Sequence, residues 1–207
     1  MNRGAPAAGL YPLANGRTLC VVIGGSSEIT VASTLALHTG LEAPIVPEWI
    51  RFDEADLLRF ALHHEVAHCS DERARTGHHS IAYDTHLAEN FGDAFAVLMH
   101  LRNTNDETLP HFFALMREAA LVNLADREHM TVRSIDAALQ WGLARSREGR
   151  LVSMDARSLL IQARELAKAG AYSRAEFALL ASEASRDLHQ NLFASRYTSP
   201  QRDRLRP

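Results

Sequence analysis

Phe60-Ala61-Leu62-His63-His64-Glu65-Val66-Ala67-His68 is the stretch on which the reading of this chain turns. It contains the spacing H-E-x-x-H within an apolar pattern of helical period. In an α-helix residues four apart share a face, so His64 and His68 can present two imidazole nitrogens to one ion. Glu65, about 100° further around the helix, flanks that face within reach of a metal-bound water. Zinc suits two imidazoles, a third protein ligand and an open position for chemistry. His63 is no alternative first ligand, because Ala67 stands four residues on, and it reads as a solvated helix histidine. Asp53 can cap this helix with Asp56 in its first turn, and Leu57, Leu58, Ala61, Leu62 and Ala67 supply an apolar stripe.

A second helix starts at Asp84 or Thr85 and runs to Leu101, burying Phe91, Phe95, Leu98 and Met99. A polar loop, Ser70 to Tyr83, separates the two. The second helix carries Glu89-Asn90-Phe91-Gly92-Asp93, with Glu89 21 positions after His68. A glycine in mid-helix costs about 1 kcal/mol relative to alanine, so Gly92 suggests that two helix backbones approach closely there. Taken as the face of an amphipathic helix, Glu89 and Asp93 would simply be solvated.

From Ala61 to Leu101 the sequence resembles the thermolysin-like and related gluzincin metallopeptidases. The resemblance implies a zinc site with Glu89 as third ligand and Asp93 supporting a ligand histidine. Asp93 would accept the outer N–H of His64 and fix its tautomer. Asp84, or Asp93 itself, competes with Glu89 as third ligand. It further implies peptide-bond hydrolysis, with zinc activating its water and Glu65 taking the proton. An oxyanion stabiliser is usual in the family, and Tyr83 is the leading candidate beside His78, His79 and His86. The metzincin extension is absent, since Ala74 occupies its third-histidine position. His100 lies too far along the second helix and reads as a packing or surface residue, and Cys69 reads as a small buried thiol.

Residues 1–17, rich in Ala, Gly and Pro, read as a flexible lead-in, and Thr18–Ile23 as a strand. Gly24 to Ser27 make a turn. Ile29–Leu37 returns as a second strand or forms a helix, since Ala32, Leu35 and Ala36 suit either. By analogy with zincins, that segment as an edge strand would bind extended peptide. Pro44 and Pro47 bracket a turn before Trp49, Ile50 and Phe52. The C-terminal half reads as helices over Thr108–Leu124, Thr131–Arg145, Asp155–Ala169 and Ser173–His189. Gly170 stops the third of these, and Ser173 with Glu176 forms a capping box at the fourth. The expected fold is α+β and mostly helical: zincin-like, with a small N-terminal sheet, two metal-binding helices and a C-terminal helical lobe. The divisions are 1–17 lead-in, 18–103 metal-binding core, 104–190 helical lobe packed on it, and 191–207 a disordered tail.

Composition narrows the function. Lys and Arg total 22 against 25 Asp and Glu, a net charge of -3, so nothing draws the chain toward nucleic acid or acidic membranes. No apolar run approaches a membrane span or a signal peptide, and two cysteines make no disulfide framework, so a reducing, cytoplasmic setting is expected. Export as an effector or toxin would leave the same chemistry. The expected function is a zinc-dependent hydrolase, most simply a peptidase acting on peptide or protein. The rivals are a phosphohydrolase using residues such as His68, Asp71 and Asp93, and a non-catalytic zinc-containing interaction protein. The phosphohydrolase lacks a contiguous His-Asp pair. Glu65, which is not needed as a ligand, argues against a purely structural zinc.

Overall fold

A computed structural model describes residues 7–12, 18–23, 30–39, 50–71, 82–180 and 182–198. Two strands, β1 (Ala7–Pro12) and β2 (Thr18–Ile23), form an antiparallel hairpin whose pairing runs from Ala7 opposite Ile23 to Pro12 opposite Thr18. The second strand has its expected bounds. The first corrects the flexible lead-in: Ala7, Ala8 and Gly9 show no apolar alternation, and their strand is created by pairing with β2.

Helix α1 (Val31–Thr39) replaces the alternative of a returning strand, and with it the edge-strand role suggested for Ile29–Leu37. Thr30 and Ser33 decide this locally. The Thr30 N–H donates to Ser33 Oγ at 2.9 Å and the Ser33 N–H to Thr30 Oγ1 at 3.0 Å, a reciprocal cap that satisfies backbone donors of the first turn.

Helix α2 (Glu54–Ser70) is capped by Asp53, whose carboxylate accepts the Ala55 N–H at 2.9 Å. It buries Leu57, Phe60, His64 and Ala67, a stripe at helical spacing, while Leu58, Ala61 and Leu62 are only half-buried. The stripe therefore sits to one side of the expected one, because it includes His64. His63 is half-buried with its ring edge-on to Phe95, which corrects its reading as a solvated histidine.

Helix α3 (Ala82–Thr104) is the centre of the molecule, and every residue from Ala88 to Leu98 is buried. A helix buried on all sides must be apolar or paired throughout, and its small residues Ala88, Gly92, Ala94 and Ala96 let neighbours approach. Helix α2 packs on one side of it. Helices α5 (Val132–Arg147) and α6 (Ala156–Gly170) pack on others. Helix α4 (Thr108–Leu124) packs on α5 and carries α1 and α8 (Glu183–Thr198) against its remaining surface.

One helix expected over Ser173–His189 is two, α7 (Arg174–Leu179) and α8. Ser173 and Glu176 form the expected capping box on α7, and Ser182 starts α8 anew by accepting the Ser185 N–H on its hydroxyl at 3.3 Å. Gly170 ends α6 as expected, but its absent side chain has another cause. A Cβ there would stand 2.6 Å from the Ser134 backbone, so the glycine permits α6 to touch α5. One apolar cluster runs from Leu35 to Leu180, so the core is continuous across the expected division at residue 103. Gly24–Ser27, Pro44, Pro47, Trp49, residues 72–81 and residues 199–207 lie outside the described residues. Among the described residues, no helix is long and apolar enough to cross a membrane.

Cys20 of β2 and Cys69 of α2 are joined as a disulfide, which corrects the reading of Cys69 as a buried thiol. Their spacing gave no sign of this, because hairpin and helix meet only through the tertiary fold.

Candidate metal centre

The inner face of α2 meets the middle of α3 at His64 and Gly92. A Cβ built on Gly92 would lie 2.7 Å from His64 Cε1 and 2.8 Å from Nδ1, so the glycine makes room for the imidazole rather than for a neighbouring backbone. Thus seated, His64 places Nδ1 2.7 Å from Asp93 Oδ1 and turns Nε2 the other way. That Nε2 lies 3.0 Å from His68 Nε2 and 3.1 Å from Glu89 Oε2, and His68 Nε2 lies 3.4 Å from Glu89 Oε1. His64, His68 and Glu89 thus offer one donor atom each within 4.8 Å of one another, and among the described residues they form the one such group that could hold a metal ion.

Glu89 Oε2 is buried and close to three cationic or ionisable groups, yet no N–H is aligned on it, so it lacks a hydrogen bond. A buried carboxylate oxygen left this way is costly unless a cation takes the place of the missing donor. His64 is held up to about 10: burial opposes its charge, but Glu89 and Asp93 outweigh burial. Burial likewise opposes the charge on Glu89, and His64 with the other imidazoles overcomes it, keeping the carboxyl well below its usual range.

Asp93 is fully buried, and its two oxygens accept from His64, from Arg117 Nε and Nη2 at 2.8 and 2.9 Å, and from Thr131 Oγ1. Both of its oxygens are thus engaged, and it lies outside the group of converging donors. Burial again opposes its ionisation, while Arg117 and His64 hold it far below the ordinary carboxylate range. Asp84, the other competing ligand, faces Arg174 at 3.9 Å, outside the group. Glu65 follows His64 and is half-buried.

Tyr83 is not brought to the centre. Its hydroxyl donates to the Tyr172 carbonyl at 3.0 Å and the Arg174 guanidinium covers its ring, so it is committed to packing α3 against the α6–α7 connection. His86 is also committed: fully buried, it meets the Glu128 carbonyl at 3.2 Å and Asn90, and burial pushes it down to about 4. His78 and His79 lie outside the described residues. His100 is a buried packing residue beside Phe60.

His129, and not Tyr83, stands beside the converging donors. Its Nε2 stands 3.4 Å from Glu89 Oε2, and its Nδ1 is held by Asp126 at 2.8 Å. Its side chain is 35% exposed, and Asp126 orients it. Burial opposes protonation, but Asp126 and Glu89 raise His129 above its ordinary value. Sequence reasoning missed His129, Asp126 and Arg117, all from the C-terminal half. One signal was there to read: Arg117-Glu118 is a charged pair inside the otherwise apolar run Leu109–Leu121, and charges buried in such a run need partners. No known family, curated protein or solved structure matches this chain.

Proposed function

We propose that this chain is a zinc-dependent metallopeptidase of the gluzincin type, with His64, His68 and Glu89 as ligands and Glu65 as general base. The observation that carries the reading is the convergence of His64, His68 and Glu89. His64 Nε2 and His68 Nε2 lie 3.0 Å apart, and each stands beside a different oxygen of Glu89, at 3.1 and 3.4 Å, a grouping of two imidazoles and a carboxylate that suits zinc. Zinc bound there would polarise a carbonyl and acidify water.

The chain's own residues supply the rest. Asp93 keeps the proton of His64 on Nδ1 and so leaves Nε2 as a donor lone pair. Arg117 keeps Asp93 ionised. The Glu65 carboxylate accepts a proton from the attacking water and returns it to the leaving amine. His129, protonated and oriented by Asp126, donates from Nε2 to the oxygen on which charge develops. The substrate class is peptide or protein; a net charge of -3 gives no attraction to nucleic acid. The phosphohydrolase alternative is weakened because Asp93, one of its ligands, has both oxygens engaged. The cytoplasmic compartment expected from two cysteines now stands beside a disulfide that such a compartment would tend to reduce.

The deciding experiment pairs elemental analysis with cleavage of an unbiased peptide library by the wild type and by Glu65→Gln. One zinc per chain in both proteins, with hydrolysis only in the wild type, is expected. Zinc retained after His64→Ala/His68→Ala, or turnover surviving in Glu65→Gln, would remove the reading. Zinc without any cleavage would favour the interaction protein.

A further inference from the structure

We infer that the Cys20–Cys69 disulfide is a redox-sensitive latch that fastens the β-hairpin to the end of the metal-ligand helix, so that its reduction releases the hairpin and weakens the hold on His68. The coupling to metal affinity rests on the zinc reading above; the release of the hairpin does not.

Among the described residues the hairpin has little else to hold it. None of its side chains whose exposure is described is buried, and Tyr11 and Leu19, paired across the strands, are 52% and 48% exposed. Among the described elements its main packing partner is α2. A two-stranded hairpin is marginal by itself in water, so without the cross-link its contacts with one helix must carry it. The helical core is different: it is continuous from α1 to α7 without any hairpin residue. Reduction therefore removes a peripheral element and leaves the core in place. Neither cysteine is buried, so a reductant can reach the bond.

The attachment point gives the latch its consequence. Cys69 directly follows His68 in the last turn of α2. Among the described residues that turn carries hydrogen bonds from the Asp71 N–H to the His68 carbonyl at 3.2 Å and from Arg164 Nη2 to the Ser70 carbonyl at 3.1 Å. Helix ends fray where their carbonyls are weakly held. Loss of the cross-link lets the turn bearing His68 loosen, while His64, locked by Asp93 one turn back, stays seated.

The chemistry is ordinary exchange with a dithiol. One thiolate attacks a protein sulfur, the Cys20–Cys69 bond breaks to a mixed disulfide, and the second thiol closes the reductant's own disulfide. The protein gains two electrons and two protons as two thiols.

The test uses the full chain in three forms: oxidised, reduced with dithiothreitol and desalted anaerobically, and Cys20→Ser/Cys69→Ser, which needs no reductant. Hydrogen exchange is followed over residues 7–23, the last turn of α2 and α3, and zinc affinity by competition with a chromophoric chelator. The latch predicts that both opened forms lose protection in the hairpin and in the turn of His68, keep it in α3, and bind zinc about tenfold or more weakly. Alkylation of both cysteines in protein kept under a mild oxidant would overturn it, as would hairpin protection that is equal in all three forms. Hairpin release with unchanged zinc affinity would overturn the coupling to His68. If no form binds zinc, the metal reading fails, and hairpin exchange alone still decides the latch.

Discussion

His64 and Asp93, 29 residues apart in sequence, meet at 2.7 Å through Nδ1 and Oδ1, and Arg117 closes on the same carboxylate from the opposite side. Asp93 thus serves two cations at zero exposure. Its removal leaves Arg117 buried without its main partner, a change that costs roughly 3–5 kcal/mol. Asp93→Ala is therefore expected to destabilise the metal-free fold as a whole, beyond the roughly 10–100-fold loss of affinity typical of a supporting residue. Glu89→Ala should behave oppositely, losing zinc strongly while the metal-free protein remains folded. Thermal unfolding in chelator and zinc titration of both variants separate the two effects. Equal stability losses would show that Asp93 is not the anchor described.

Gly92→Ala offers a purely steric probe of the same contact. Its methyl would lie within van der Waals overlap of the His64 ring, which cannot retreat without leaving Asp93. Zinc affinity is expected to fall at least about tenfold, of the order seen when a ligand histidine loses its orientation. Gly142→Ala is the matched control, because its methyl would meet Leu101 Cδ1 at 2.5 Å, away from the ligands. That variant should lower the melting temperature and leave zinc affinity alone. A zinc titration in which the two variants cannot be told apart would sink the explanation of Gly92.

The two helices that meet at His64 and Gly92 were legible because their signals are local. H-E-x-x-H fixes its own geometry once the segment is helical, and Gly92 in mid-helix announces a close approach before the partner is known. What touches Gly92 was not legible, since ring and backbone approach leave the same mark in sequence. The third wall of the site was not legible either: Arg117, Asp126 and His129 reach it through the packing of α4 and α5, at separations of 24 residues and more from Asp93. The strand at Ala7–Pro12 failed for a related reason, because three small residues acquire strand character only from their partner. Thr30 and Ser33 could have resolved α1, as their hydroxyl spacing is a helix-start pattern written in the sequence.

Stability of the metal-free protein should depend on pH in a direction set by these carboxylates. His64 is raised from 6.5 to about 10, so its contribution is complete below pH 6.5 and is lost as pH rises toward 10. Glu89 and Asp93 are depressed, so their contributions are complete above their ordinary values of 4.5 and 3.8 and are lost as pH falls below them. The chelator-treated protein is expected to be most stable between about pH 4.5 and 6.5 and to melt earlier as pH climbs. Zinc replaces the proton on His64, so the loaded protein should gain on the metal-free one over that same climb. Melting curves at pH 5.5, 7.5 and 9.5 with and without zinc check this. A gap between the two forms that narrows with rising pH would contradict the ligand role of His64.

His129 and Tyr83 make opposite predictions for the same chemical role. Tyr83 has its hydroxyl on a backbone carbonyl and its ring under Arg174, so Tyr83→Phe should cost about 1 kcal/mol of stability for one hydrogen bond and leave turnover within about twofold. His129 stands 3.4 Å from Glu89 with Asp126 behind it. Its contribution falls on charge that develops only as the reaction proceeds, so His129→Ala should lower kcat by about 10²–10³ with little change in KM and full zinc occupancy. Asp126→Ala should lower kcat less, since the imidazole remains and loses only its orientation and part of its raised pKa. The accompanying pH profile discriminates a proton donor from a structural prop. In the wild type, activity should decline on the alkaline side as His129 loses its proton, and in Asp126→Ala that limb should move to lower pH because the raising contact is gone. Unchanged kcat in His129→Ala together with loss of activity in Tyr83→Phe would return the role to the tyrosine.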